Sequence, residues 1–264
     1  MPEVNGFQNE LEQLRRFSGK VHPHLITLLA SFEQDGVSHF IFPWAECNLE
    51  TYWEKIQPWG DDTPSTRLDL DCARWVANQL VGITGAIHSI HQRRENNLKP
   101  GVEGFGRHSD LKPDNVLWFR YENDPKGILV VTDLGLATFN RELSRSIQPG
   151  SSARVPGYRA PECDIHDAKA RRKTDIWTLG CIFLEFVTWL LGGNQLLGDF
   201  KQQRKSLDHL NNAKSNLFFE FEEQHNQDSG GDKKRTGHMQ VKRAVAKVSF
   251  SHHLTTVRFV HLIS

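Results

Sequence analysis

Apolar residues recur along this chain at two periods, and the switches between them mark out its elements. Phe7, Leu11, Leu14 and Phe17 recur at helical spacing, with Glu10 and Glu12 between them. They predict a short helix that ends near Ser18-Gly19. Two apolar runs follow, Leu25 to Phe32 and His39 to Trp44, on either side of Gln34-Asp35-Gly36. Asp-Gly between such runs predicts a hairpin of two antiparallel strands. Val76, Leu80, Ile83, Ile87 and Ile90 step by four and three, which predicts a long amphipathic helix. Leu117 to Phe119 and Ile128 to Val131 predict short strands around a turn at Asn123-Asp124-Pro125. Ile176 to Gly193 is nearly all apolar. Glu185 inside it and Asp175 at its start favour a buried core helix over a membrane span. The polar, Gly-rich residues 92–107 and 140–155 read as loops, and 226–237 as a disordered stretch. Helical spacing returns around Val241 to Val248.

Composition narrows the classes. Hydrophobic residues make up 38% and charged residues 24% of 264 residues, as in ordinary soluble globular proteins. Lys+Arg and Asp+Glu balance at 32 each, which argues against a dedicated nucleic-acid binder. Cys47, Cys72, Cys163 and Cys181 form no C-x-x-C, so neither a disulfide framework nor a zinc site is expected. The first residues carry neither a basic start nor an apolar run. The expected location is therefore the cytoplasm or nucleus, with no membrane partner.

The chemistry is concentrated in His108-Ser109-Asp110-Leu111-Lys112-Pro113-Asp114-Asn115. Asp110 can accept a proton from an attacking hydroxyl, and Lys112 can neutralise charge on a transferring phosphoryl group. Asn115 offers a carbonyl oxygen to a hard cation such as Mg²⁺. Asp133-Leu134-Gly135 follows the apolar run Ile128 to Val131, eighteen residues after Asn115. It places a second carboxylate ligand on a sharply turning loop.

These motifs resemble those of the eukaryotic protein kinases. Asp110 to Asn115 is similar to the catalytic loop D-L-K-P-x-N, and Asp133-Leu134-Gly135 to D-F-G. Ala160-Pro161-Glu162 matches A-P-E, and Asp175 to Cys181 matches the opening of the large C-lobe helix. The resemblance covers roughly residues 7–193, and its wording is similar to kinases of filamentous fungi. It implies an α+β, bilobal kinase-like fold with a mainly α-helical C-lobe. It divides the chain into an N-lobe remnant (1–44), a C-lobe core (45–193) and a divergent, partly disordered tail (194–264). It also implies ATP and Mg²⁺ as cofactors, and a protein Ser/Thr hydroxyl as acceptor, since Lys112 is the Ser/Thr-type residue at its position. Asp110 and Lys112 become catalytic and Asn115 and Asp133 metal ligands. Phe42 becomes the gatekeeper, and Pro43 and Ala45 bind adenine through backbone groups with Leu117 beneath the ring. A regulatory protein partner is also expected.

The pattern departs from the family in four places. Glu10 occupies the place of the helix glutamate, but the Gly-rich loop and the strand lysine are missing. The expected N-lobe is thus truncated to one helix and two strands. Ser109 replaces an arginine that anchors phosphorylated activation loops, and Val155 replaces a hydroxyl that bonds the catalytic Asp and Lys. The last C-lobe helices are expected to be altered or missing, and no arginine is assigned to Glu162. Glu162 and Asp175 are expected to hold the C-lobe together, Trp177 to be core, and His108 to be a packed, hydrogen-bonded histidine. The leading expectation is a protein Ser/Thr kinase. The alternatives are an impaired pseudokinase or incomplete chain acting as an interaction module, and a small-molecule phosphotransferase.

Overall fold

The computed structural model describes residues 11, 14, 22–59, 68–92, 106–133, 157–164, 172–208, 213–223 and 237–248. Leu11 and Leu14 are helical and buried, in keeping with the first predicted helix. The rest of that helix, Glu10 included, lies outside the described residues. So do Leu134, Gly135 and Val155, most of the expected loop at 92–107 and of the polar stretch at 226–237, and all of 140–155.

The Asp-Gly hairpin forms, with β1 at Ala30–Gln34 and β2 at Val37–Ile41. Its register pairs Gln34 with Val37 and Ala30 with Ile41. Asp35 and Gly36 both have positive φ, 52° and 75°, as a two-residue turn matching the strand twist requires. The apolar run from Leu25 was expected to belong to the first strand, but β1 starts only at Ala30. Leu25 and Ile26 are drawn instead onto the last strand of the central sheet. Ile26 N–H donates to the Val131 carbonyl (3.0 Å) and Val131 N–H to the His24 carbonyl (2.9 Å). Both side chains are 2% exposed, so this run is apolar because it is buried there.

The central sheet has the order β3–β4–β5, with β3 at Cys47–Asn48, β4 at Val116–Tyr121 and β5 at Asp124–Val131. The β4–β5 turn falls at Glu122-Asn123, one residue before the predicted one. Pro125 lies inside β5, and the Asp124 carboxylate accepts from Lys126 and Gly127 N–H. Helix α1 (Leu49–Lys55) starts from Asn48, whose side chain accepts from Thr51 N–H at 2.9 Å. The long amphipathic helix is α2 (Leu70–Gln92), with Val76, Ile83, Ile87 and Ile90 buried as their spacing predicts.

Helix α3 (Arg172–Gln203) contains the apolar run and bends at Gly192-Gly193, where Gly193 adopts φ 62°. By length and mean hydropathy (1.6) α3 passes as a membrane span. Its Ile182, Phe186 and Trp189 are 0% exposed and pack among Trp53, Tyr52 and Trp75, so it is a buried core helix. Beyond the bend the sequence pattern is weak, yet Leu197 and Phe200 enter the same core. Two small hairpins follow: β6 (Ser206–Leu207) with β7 (Lys214–Ser215), and β8 (Phe219–Glu223) with β9 (Gly237–Val241). Val241, expected in the last helix, closes β9, and the helical residues described there are 243–248.

Candidate active site

A sharp backbone reversal at His108 to Asp110 builds the site. Ser109 sits at φ 75°, in the left-handed region that L-residues other than Gly, Asn and Asp seldom enter. The buried Asp175 carboxylate at the start of α3 holds this shape. Its Oδ2 accepts from His108 N–H (2.9 Å) and its Oδ1 from Ser109 N–H (3.2 Å). His91 Nε2, from the end of α2, reaches the same Oδ2 at 2.8 Å. Burial pushes this carboxyl group up, but the His91 bond and the interactions with His108 outweigh it and hold it below its ordinary range.

His108 is 0% exposed and fixes the loop from inside. Its Nε2–H donates to the Thr132 carbonyl (2.8 Å), and its Nδ1 accepts from Asp110 N–H (3.3 Å). One imidazole thus ties the loop carrying Asp110 to the strand end carrying Asp133. It is the packed, hydrogen-bonded residue that was expected.

Four of the sequence-selected residues meet here. Lys112 Nζ lies 3.2 Å from Asp110 Oδ2. Asn115 Nδ2 donates to the Asp110 carbonyl (2.8 Å) and to Asp110 Oδ2 (3.1 Å), and reaches Asp133 Oδ2 at 3.4 Å. Asp110 Oδ1 is buried with no hydrogen-bond partner among the described residues. Asp133 stands at φ 59° with its side chain exposed, at the edge of the cluster.

With its amide nitrogen turned to Asp110 and Asp133, Asn115 keeps Oδ1 as its acceptor, and Asp133 adds a carboxylate oxygen. Two such oxygens suit a small hard cation that retains waters or takes phosphate oxygens for its other positions. Among the described residues no cluster of three His, Cys, Asp or Glu side chains forms an all-protein metal cage.

Pro43 and Ala45 lie between β2 and β3. Glu46 N–H donates to the Trp118 carbonyl (3.0 Å), and Leu117 pairs with Asn48, so this segment runs alongside β4 next to Leu117. Neither the Pro43 carbonyl nor the Ala45 N–H bonds a described residue. Phe42 is 36% and Trp44 92% exposed.

Residues 157–164 are fastened to α3 and to the segment just beyond its end. Tyr158 Oη donates to Glu185 Oε2 (2.6 Å), and Arg204 pairs with the other Glu185 oxygen. The Arg204 guanidinium lies between the Phe200 and Phe218 rings, 4.3 and 3.7 Å from their centroids. Arg159 bridges Asp164 and Asp208. Glu162 has no ion pair among the described residues. Trp177, expected to be core, is half-buried: it packs against the core and meets Phe219 edge-on.

Sequence reasoning passed over three contributors. His91 lies four residues after Ile87 on the buried stripe of α2, so a polar residue among apolar ones was the available signal. Arg107, buried, donates from Nε to Ser109 Oγ (2.8 Å), and burial holds its guanidinium below the ordinary arginine value. Arg204 had no local signal at all.

Comparison with known proteins gives the family to which this fold and cluster belong. The profile described as protein kinase domain matches residues 2–244, and the chain belongs to that family. It is 30% identical over 180 residues to a probable cell division protein kinase of Encephalitozoon cuniculi, covering 68% of this chain and 54% of that protein. It is 27% identical over 181 residues to cyclin-dependent kinase F-4 of Oryza sativa subsp. japonica (68% and 32%). With cyclin-dependent kinase-like 4 of Mus musculus it shares 24% over 182 residues (67% and 43%). The chain thus spans between a third and about half the length of these relatives.

Proposed function

We propose that this chain is the catalytic part of a protein Ser/Thr kinase, transferring the γ-phosphoryl group of ATP to a protein hydroxyl. The observation that supports this best is the convergence of Asp110, Lys112, Asn115 and Asp133, with one Asp110 oxygen buried and unengaged. That oxygen, Oδ1, accepts the proton of the attacking Ser or Thr hydroxyl. Lys112 and Asn115 hold the other oxygen, so the carboxylate cannot rotate away. Lys112 also lies close enough to Asp110 to neutralise charge on the phosphoryl group in flight. Asn115 and Asp133 would hold Mg²⁺, which when bound supplies charge neutralisation and alignment of the phosphates. The Pro43 carbonyl and the Ala45 N–H provide an acceptor and a donor for adenine, with Leu117 below the ring. Cytoplasmic or nuclear residence and a regulatory protein partner belong to the same reading.

Thermal unfolding with and without Mg·ATP, followed by transfer of labelled γ-phosphate to Ser/Thr peptides, tests this. Saturation at about 100 times the dissociation constant stabilises by about 2.7 kcal/mol, a clear rise in Tm. Asp133→Asn should abolish the rise. Asp110→Asn should keep the rise and lose transfer by at least ~10². A chain that neither gains stability from Mg·ATP nor transfers phosphate would overturn this reading in favour of an impaired pseudokinase or an incomplete kinase chain.

A further inference from the structure

The turn that carries Asp110 is braced by a buried cation as well as by Asp175. Gly106 lies hard against the end of α2: a Cβ there would stand 2.3 Å from the Ile90 carbonyl oxygen, so only glycine lets the chain enter the turn at this depth. Arg107 follows at 6% exposure and donates from Nε to the Ser109 hydroxyl at 2.8 Å. A guanidinium costs more to bury than an apolar side chain of its volume. Burial does hold this one below its ordinary value, with Asp175 acting the other way. Ser109, by contrast, is exposed, and water was open to it as a partner. The pairing thus satisfies no need of Ser109 alone.

What the pair holds is backbone. Ser109 stands at φ 75°, a strained position that persists only where its surroundings over-determine it. Asp175 fixes the N–H groups of His108 and Ser109, and Arg107 fixes the Ser109 side chain. With both engaged, the peptide leading into Asp110 has one setting. We propose that Arg107, acting through the Ser109 hydroxyl, is a positioning residue for phosphotransfer that fixes the turn aiming Asp110 at the acceptor. The inference rests on the kinase reading above, and it assigns neither residue a contact with nucleotide or acceptor.

Steady-state transfer of labelled γ-phosphate to a Ser/Thr peptide by the full chain tests it. Ser109→Ala removes the hydroxyl and keeps the strain, and Ser109→Gly removes both. Ser109→Asn keeps an oxygen acceptor on a residue that tolerates positive φ. The expected result is a kcat at least about tenfold lower in the Ala and Gly variants alike, with the KM for ATP within about twofold and most of the loss recovered in the Asn variant. Arg107→Met should match Ser109→Ala, and the double variant should lose no more than either alone. The Ser109 series decides the matter even if the buried Arg107 variant does not fold. A Ser109→Gly chain as active as the unsubstituted one would overturn the inference, because relief of strain would then be the whole effect. So would an Asn variant no better than Ala, additive losses in the double variant, or a loss carried by KM. No transfer by the unsubstituted chain overturns the kinase reading and this inference with it. Transfer that Ser109→Ala leaves unchanged overturns this inference alone.

Discussion

At the scale of single residues, the site depends on Asp175 more than on any group that would touch a substrate. Asp175→Ala leaves the buried N–H of His108 and the N–H of Ser109 without an acceptor and strands His91. Each unsatisfied group costs about 1–3 kcal/mol, so a loss of roughly 3 kcal/mol or more is expected in urea denaturation. A second prediction concerns His24, whose Nδ1–H donates to the Leu129 carbonyl at 2.7 Å and whose ring fills a notch over Gly82. A Cβ at Gly82 would lie 2.0 Å from His24 Nε2, so Gly82→Ala should destabilise the fold by about 1–3 kcal/mol. Burial holds His24 below its ordinary pKa, with His22 adding a smaller effect. The unfolded chain therefore binds the proton first. Stability present above about pH 6.5 should be lost as pH falls through the folded value. His24→Gln should flatten that slope, measured as Tm against pH. The candidate catalytic residues were legible because they lie within a short stretch whose spacing carries its own chemistry. His91, Arg107 and Arg204 were not, since their partners are chosen by the fold.

At the scale of elements, what the sequence revealed depended on length. The 23-residue helix α2 shows its apolar stripe through several turns, and the Asp-Gly turn announces the first hairpin. Strands of two to five residues beyond α3 show no such period, because tertiary contacts rather than alternation hold them. The run Leu25-Ile26 misled for a related reason, since burial against β5 makes residues apolar whatever their secondary structure. The end of α3 gives a third prediction. Glu185 and Arg204 are 0% and 1% exposed, so Arg204→Met leaves a buried carboxylate with Tyr158 as its one remaining partner among the described residues. Removing one partner of a buried pair typically costs about 3–5 kcal/mol. Replacing both with apolar residues of similar volume should recover much of it, as a double-mutant cycle in urea would show.

At the scale of the whole molecule, three connections unite the chain. His24 to Ile26 bind the hairpin region to β5, Asp175 binds α3 to the loop at His108 and Ser109, and Arg159, paired with Asp208, binds residues 157–164 to the stretch after α3. All three join segments far apart in sequence. If they form one cooperative unit, Asp175→Ala and Gly82→Ala should each lower a single unfolding transition rather than split it. Calorimetry compared with the van't Hoff enthalpy reads this directly. The α+β, kinase-type plan was visible beforehand because its motifs occur in a fixed order. How those motifs are wired to one another was not.

Trp44 gives the molecule an optical property of its own. Of the seven tryptophans it alone projects almost wholly into water, the other six being buried or half-buried. An indole in water emits further to the red than one in an apolar core and meets dissolved quenchers freely. Red-edge emission therefore belongs chiefly to a single side chain, set between the Pro43 carbonyl and the Ala45 N–H. A base docking on those two groups should shield it, lowering its Stern–Volmer constant for acrylamide while the blue emission of the core holds steady. The chain thus carries its own dye beside the two backbone groups proposed to hold a base, and needs no label to report what binds there.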